Sequence, residues 1–176
     1  ESIALNPNDW RAYERLGLVL ASLSMFNESR KALEQLATIQ PQPAPQVVAQ
    51  RYALFKSVFD SQFASLLKQY ESGAQGFSRG DISRERYYND MQGLALRLEA
   101  MAKFIDALKA PPAKQAANLR RSLACGLIAQ AAAGLVDYLE NKDEPAKSNA
   151  DVFVAQARKE LSAAEELDKN TIVIAN

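Results

Sequence analysis

The chain has 176 residues, nearly half of them apolar, enough for one buried core. Its 21 basic and 21 acidic residues cancel, which argues against nucleic acid as a main ligand, because phosphate binding needs a positive excess on some face. With no histidine and one cysteine, Cys125, it excludes Ser-His-Asp and Cys-His nucleophilic systems, His-dependent di-iron and zinc sites, thiolate zinc sites and an internal disulfide.

The sequence opens on ESIALNPND, with neither an initial methionine nor a charged leader, and reads as a trimmed piece of a longer protein. Prolines, glycines and polar clusters then mark off helices at about 9–23, 26–40, 46–72, 82–109, 113–140 and 149–168. No segment alternates with period two, so the expected fold class is all-α.

Pro41, Pro43 and Pro45 stop the second helix, since proline lacks the donor and clashes with the preceding turn. The third carries an aromatic seam of Tyr52, Phe55, Phe59, Phe63, Leu66 and Tyr70. Gly73, Gly76 and Gly80 are expected to open a loop after it. In the fourth helix Tyr87, Met91, Leu94, Leu98, Met101, Ile105 and Leu108 keep a seven-residue repeat, the mark of a seam against neighbouring helices. Pro111 and Pro112 separate it from the fifth helix, rich in small residues and expected at the centre of the bundle. That helix holds the most membrane-like stretch, Leu123 to Val136, which is too short for a span of about 20 apolar residues. NKDEPAKSN reads as a charged loop, with Ser148 capping the last helix. These seams could be taken for a cofactor slot, but core is the reading they favour.

The first two helices carry a more specific pattern. Tyr13, Leu16, Gly17, Leu20, Phe26, Ser29, Leu33, Leu36 and Pro41 are spaced across residues 8–41 in a way that resembles a tetratricopeptide repeat, a helix–turn–helix of about 34 residues. Ser24 stands at the turn where that family commonly has glycine. Residues 4–7, ALNP, resemble the tail of a preceding repeat. The resemblance explains Gly17 in a helix interior, where glycine costs about 1 kcal/mol relative to alanine: a side chain there would push two close helices apart. It implies a concave partner-binding face on the first helix, formed by Arg11, Glu14, Leu18, Ala21 and Ser22, with Tyr13, Leu16, Gly17 and Leu20 at packing positions. Repeats that clamp chaperone C-terminal carboxylates have lysine and asparagine where this chain has Glu14 and Leu18, so that clamp is not expected. The last helix echoes the pattern with Val154, Ala157, Leu161, Ala164 and Leu167, and should pair with the fifth.

Residues 46–140 do not match the repeat; their long helices are expected to form an antiparallel hairpin or bundle. The organisation is then a repeat segment at 1–43 and a long-helix bundle at 44–176, within one continuous helical domain.

Chemistry has little footing. GxxxxGK[ST] and GxGxxG are absent, and GAQGFSRG lacks both a P-loop lysine and a preceding strand. The acid pairs Asp143–Glu144 and Glu165–Glu166 lie in hydrophilic stretches. Arg120–Arg121 and the group Arg79, Arg84 and Arg86 could contact an acidic partner, but Asp81 and Glu85 are interleaved with the latter group, which favours a dispersed surface. No catalysis, metal or cofactor is expected. The expected function is a protein-interaction scaffold binding a peptide or partner protein. Two alternatives stand beside it: a structural subunit or assembly factor of an envelope or secretion complex, with the long helices as interface, and a bundle holding a small apolar ligand. Self-association stays open. So does the compartment, between cytoplasm, periplasm and attachment to a membrane through further parts of a longer chain.

Overall fold

The computed structural model describes residues 6–173, with side chains to residue 170. Ala4 and Leu5, half of the resemblance to a preceding repeat, lie outside that range. The described chain is all-α: six helices and no strand.

The helices α1 (Trp10–Ser22) and α2 (Phe26–Ile39) form a hairpin. Asp9 caps α1 by accepting a hydrogen bond from the Arg11 amide at 3.0 Å. Ser24 takes φ 60° at the turn, the left-handed conformation that makes glycine common there. α3 (Pro45–Arg79) begins on a proline that has no amide hydrogen to leave unpaired. α4 (Arg84–Ala107) is capped by Ser83, whose hydroxyl accepts from the Arg86 amide at 3.2 Å. A single 3-10 turn at Pro112–Lys114 leads into α5 (Gln115–Asn141), and α6 (Glu144–Val173) follows after two residues. α5 lies between α4 and α6; α4 also packs on α2 and α3, and α3 touches α1.

The core holds both expected seams. Every residue named for the aromatic seam of α3 and the heptad seam of α4 is buried. Phe104 sits between Phe26 and Phe55, with ring centroids 5.7 and 5.9 Å away, so one aromatic joins three helices.

The α5–α6 pair is built differently. Arg120 meets Glu160 at 2.6 Å, and a Cβ on Gly134 would stand 3.0 Å from the Ala146 carbonyl oxygen. That antiparallel register sets Ala117, Ala124 and Ala131 of α5 level with Ala164, Ala157 and Ala150 of α6, all six of them buried. Each set recurs every seven residues, which keeps small side chains on the contact line and lets the two backbones approach.

Two expected loops are helical. α3 runs through Gly73 and Gly76 to Arg79, and only Gly80, at φ 79°, ends it. At 35 residues it is about 52 Å long at 1.5 Å per residue. Gly73 marks a close contact instead of a break: a Cβ there would stand 3.0 Å from Met91 Cε. One turn on, Phe77 stacks on Tyr87 at 4.5 Å, and this packing on α4 offsets the glycine cost. In the second case α6 begins at Glu144, with Pro145 in its first turn, and Asp143 Oδ1 accepts from the Ala146 amide at 3.2 Å. Ser148 is therefore inside the helix and is not its cap.

Candidate functional site

The five residues assigned to a concave face lie along α1, and α3 covers much of that face. Glu14 Oε2 accepts from Arg51 Nε of α3 at 2.9 Å. The Ser22 carbonyl accepts from Gln62 Nε2 of α3 at 2.8 Å, and Gln62 Oε1 accepts from the Ser24 hydroxyl at 2.6 Å. Between these two ties Leu18 is half-buried against the core and Ala21 is 0% exposed. Arg11 is exposed, its guanidinium 5.2 Å from the Trp10 ring centroid, with Arg51 at 5.7 Å from the same ring. The Ser22 side chain is exposed and donates to the Leu18 carbonyl at 2.9 Å. Ala21 is thus closed to a partner, and Glu14 is held by α3.

Gly17 is the close contact expected, with a different nearest neighbour. A Cβ there would stand 3.2 Å from Phe55 Cζ of α3 and 3.8 Å from the Ala32 Cβ of α2. Its carbonyl accepts from the buried Ser29 hydroxyl at 2.7 Å, which ties α1 to α2. Leu16, expected at a packing position, is 38% exposed. With Val19, Leu23 and, in the turn, Met25 it makes an apolar strip along the outer side of the hairpin.

A second uncovered apolar face lies on the long helices. Leu119 is 68% and Leu123 46% exposed, one turn apart on α5, and Leu96 of α4 is also exposed. On the same helix a Cβ at Gly126 would meet nothing within 4 Å. The window of α5 that is long and apolar enough to cross a membrane has mean hydropathy 1.4, and 56% of it is buried within the protein.

Charge is concentrated at one place inside the fold. Arg121 is 2% exposed and so closed to an acidic partner outside the chain, while its neighbour Arg120 pairs with Glu160. The Arg121 guanidinium donates to Asp168 of α6, lies 3.5 Å from Asp60 and 3.4 Å from the Tyr52 hydroxyl of α3. Lys114 reaches Asp168 at 3.1 Å, and Lys56 lies 2.6 Å from Asp60 and 3.6 Å from Asp168. Burial works against the charge on Asp168, but hydrogen bonds from Arg121 and Lys114 outweigh it and lower its pKa. Burial likewise opposes the charge on Arg121, yet the Asp168 carboxylate leaves its pKa raised. This cluster escaped the sequence reading because Arg121 sits beside Arg120. Its helical neighbours give the signal: Ala117, Ala124 and Ala131 put residue 121 on or near the buried face of α5.

A cavity of about 40 Å³ lined by Leu33, Leu36, Tyr52 and Leu108 has space for a few waters. Larger open clefts lie at the surface, among them one of about 370 Å³ lined by Lys68, Gln69, Ser72, Arg86, Asp90 and Met91. Cys125 is buried, and burial pushes its thiol well above its ordinary range. Among the described residues no three His, Cys, Asp or Glu side chains converge as a metal site. No protein-family model, curated protein or solved structure matches the chain.

Proposed function

We propose that this chain is a non-catalytic scaffold that binds a partner protein through apolar helix faces left uncovered in the fold. The carrying observation is the exposure of Leu119 and Leu123 beside an open Gly126 on α5. A leucine pair one turn apart is an anchor for a partner helix, and the glycine admits a close backbone. This supports the reading of a structural or assembly subunit whose long helices form the interface. The resemblance of residues 8–41 to a tetratricopeptide repeat supports the scaffold class as well, but α3 lies over much of the face it assigned to a ligand. The strip of Leu16, Val19 and Leu23 is the better candidate on the hairpin, since an apolar helix laid along it would complete the packing of α1.

The test compares proteins retained by the immobilised chain with those retained by two double variants, Leu119→Lys with Leu123→Lys and Leu16→Lys with Leu23→Lys. Loss of a partner with the first pair, at an unchanged melting temperature, supports the long-helix interface. Loss with the second pair alone moves the interface to the hairpin. Equal retention by all three proteins overturns the proposal.

A further inference from the structure

We propose that α6 is a strap that opens as a unit from an otherwise intact α1–α5 body, with the Arg121–Asp168 cluster as its clasp. The inference rests on what holds α6 down. Among its described side chains the fully buried ones are the three alanines Ala150, Ala157 and Ala164. Phe153, Val154 and Leu161 add half-buried contacts. α4, which is shorter, buries eight residues including Tyr87, Met91, Phe104 and Ile105. Apolar burial scales with area, so the described part of α6 is held by much less of it.

Polar ties add to these, among them Lys147 over the Tyr138 ring of α5 at 4.8 Å and the Lys114 ammonium donating to the Asp168 carbonyl at 2.9 Å. Arg158 pairs with Glu71 at the surface, where such pairs contribute little, and Arg120 with a Glu160 that is partly covered. The Asp168 carboxylate gathers more partners. Around it stand Tyr52, Lys56 and Asp60 from α3, Lys114 from the 3-10 turn and Arg121 from α5. A buried ion pair loses hydration when it forms and regains it when it opens, so its net hold is far smaller than its Coulomb attraction. Lifting α6 lets Arg121 and Asp168 rehydrate together and leaves the Phe26, Phe55 and Phe104 cluster untouched.

The hinge is at hand. α5 and α6 are joined by Lys142 and Asp143 alone, and Lys142 adopts φ 57° without being glycine. Opening relieves that left-handed backbone conformation and bares the Ala117, Ala124 and Ala131 face of α5, with Arg121 near one end. A helix with small residues every seven positions and a carboxylate at the matching place would fit the vacated face.

Hydrogen exchange read by mass spectrometry on the full chain tests this. In the parent protein the amides of residues 148–170 should exchange together, at least tenfold faster than those of residues 91–105. Asp168→Asn leaves Arg121 only Asp60 as a carboxylate partner and should speed α6 a further tenfold or so; residues 91–105, which exchange through global opening, should speed by no more than the same factor, so the gap between α6 and α4 is kept. Lys114→Met removes one cation from Asp168 and keeps Arg121 paired; it should give a smaller, several-fold acceleration that again leaves α6 well ahead of residues 91–105. If α6 and α4 lose protection at one common rate in the parent and in both variants, α6 is part of a single cooperative unit and the strap is refuted.

Discussion

The aromatic seam between α3 and its neighbours and the alanine seam between α5 and α6 solve one packing problem in opposite ways. In the first, six large side chains of α3 fill the space between helices, and each buried ring removes much apolar surface from water. In the second, methyl groups meet and the backbones come close, so there is little area per contact but almost no side-chain entropy to lose. Large residues supply the strength of the first seam. Register supplies the second, and the ion cluster fixes that register.

The largest expected effect breaks the aromatic side. Phe55→Ala should cost about 3–5 kcal/mol, read by denaturant melting, because Phe55 is buried, pairs with Phe104 and packs on Gly17. The alanine side should fail through excess volume instead of lost volume. Ala124→Leu should cost about 1–3 kcal/mol, while the volume-conserving Leu94→Met in the α4 seam should cost less than about 1.5 kcal/mol. Gly17→Leu belongs with the overpacked class at about 1–3 kcal/mol, although the facing atom is the edge of the Phe55 ring, which can shift. A melting temperature unchanged from the parent would remove Gly17 from the close contacts.

Acid and alkali should separate the two seams. Asp168 has a lowered pKa in the fold, so its contribution is complete above the ordinary 3.8 and lost as pH falls through the folded value. Alkali acts on the aromatic side. Burial, with Asp151 nearby, pushes Tyr87 up to about 12, and burial raises Tyr70 further. Both phenols are kept protonated by the fold, so their contribution is intact below the ordinary 10.0 and declines as pH rises toward about 12. Circular dichroism melts across pH check both limbs; a flat profile above pH 10 would contradict the burial of these tyrosines. The smallest effect on stability is expected at the proposed interface, where Leu119→Lys should stay within about 0.5 kcal/mol of the parent.

The sequence showed the helices and the cores of α3 and α4 well, because large apolar residues at helical spacing have one comfortable arrangement. It showed the ends of α3 and α6 poorly. Gly17 and Gly73 obey the same physics, each standing where a Cβ would crowd a neighbour, yet only Gly17 came with a recognisable spacing around it. Gly73 looked like a break because nothing local announced Met91 across from it. The alanine ladder was present in the letters, but alanine suits any helix and its period is visible only when two helices are compared. Leu18 and Ala21 were assigned to an open face by resemblance, and whether a following helix covers such a face depends on tertiary packing that no single repeat encodes.

The seven-residue alanine spacing also sets which changes of length this chain can absorb. Deleting one residue in the middle of α5 turns everything beyond it by about 100° and points the later alanines away from α6. A deletion of seven from α5 alone restores the facing but leaves one alanine of α6 without its counterpart and shifts Arg121 or Gly134 out of line. Only a matched removal of seven from both helices returns a closed pair, one rung shorter. The natural unit of insertion and deletion at this end of the molecule is therefore a pair of heptads, one in each helix, gained or lost together.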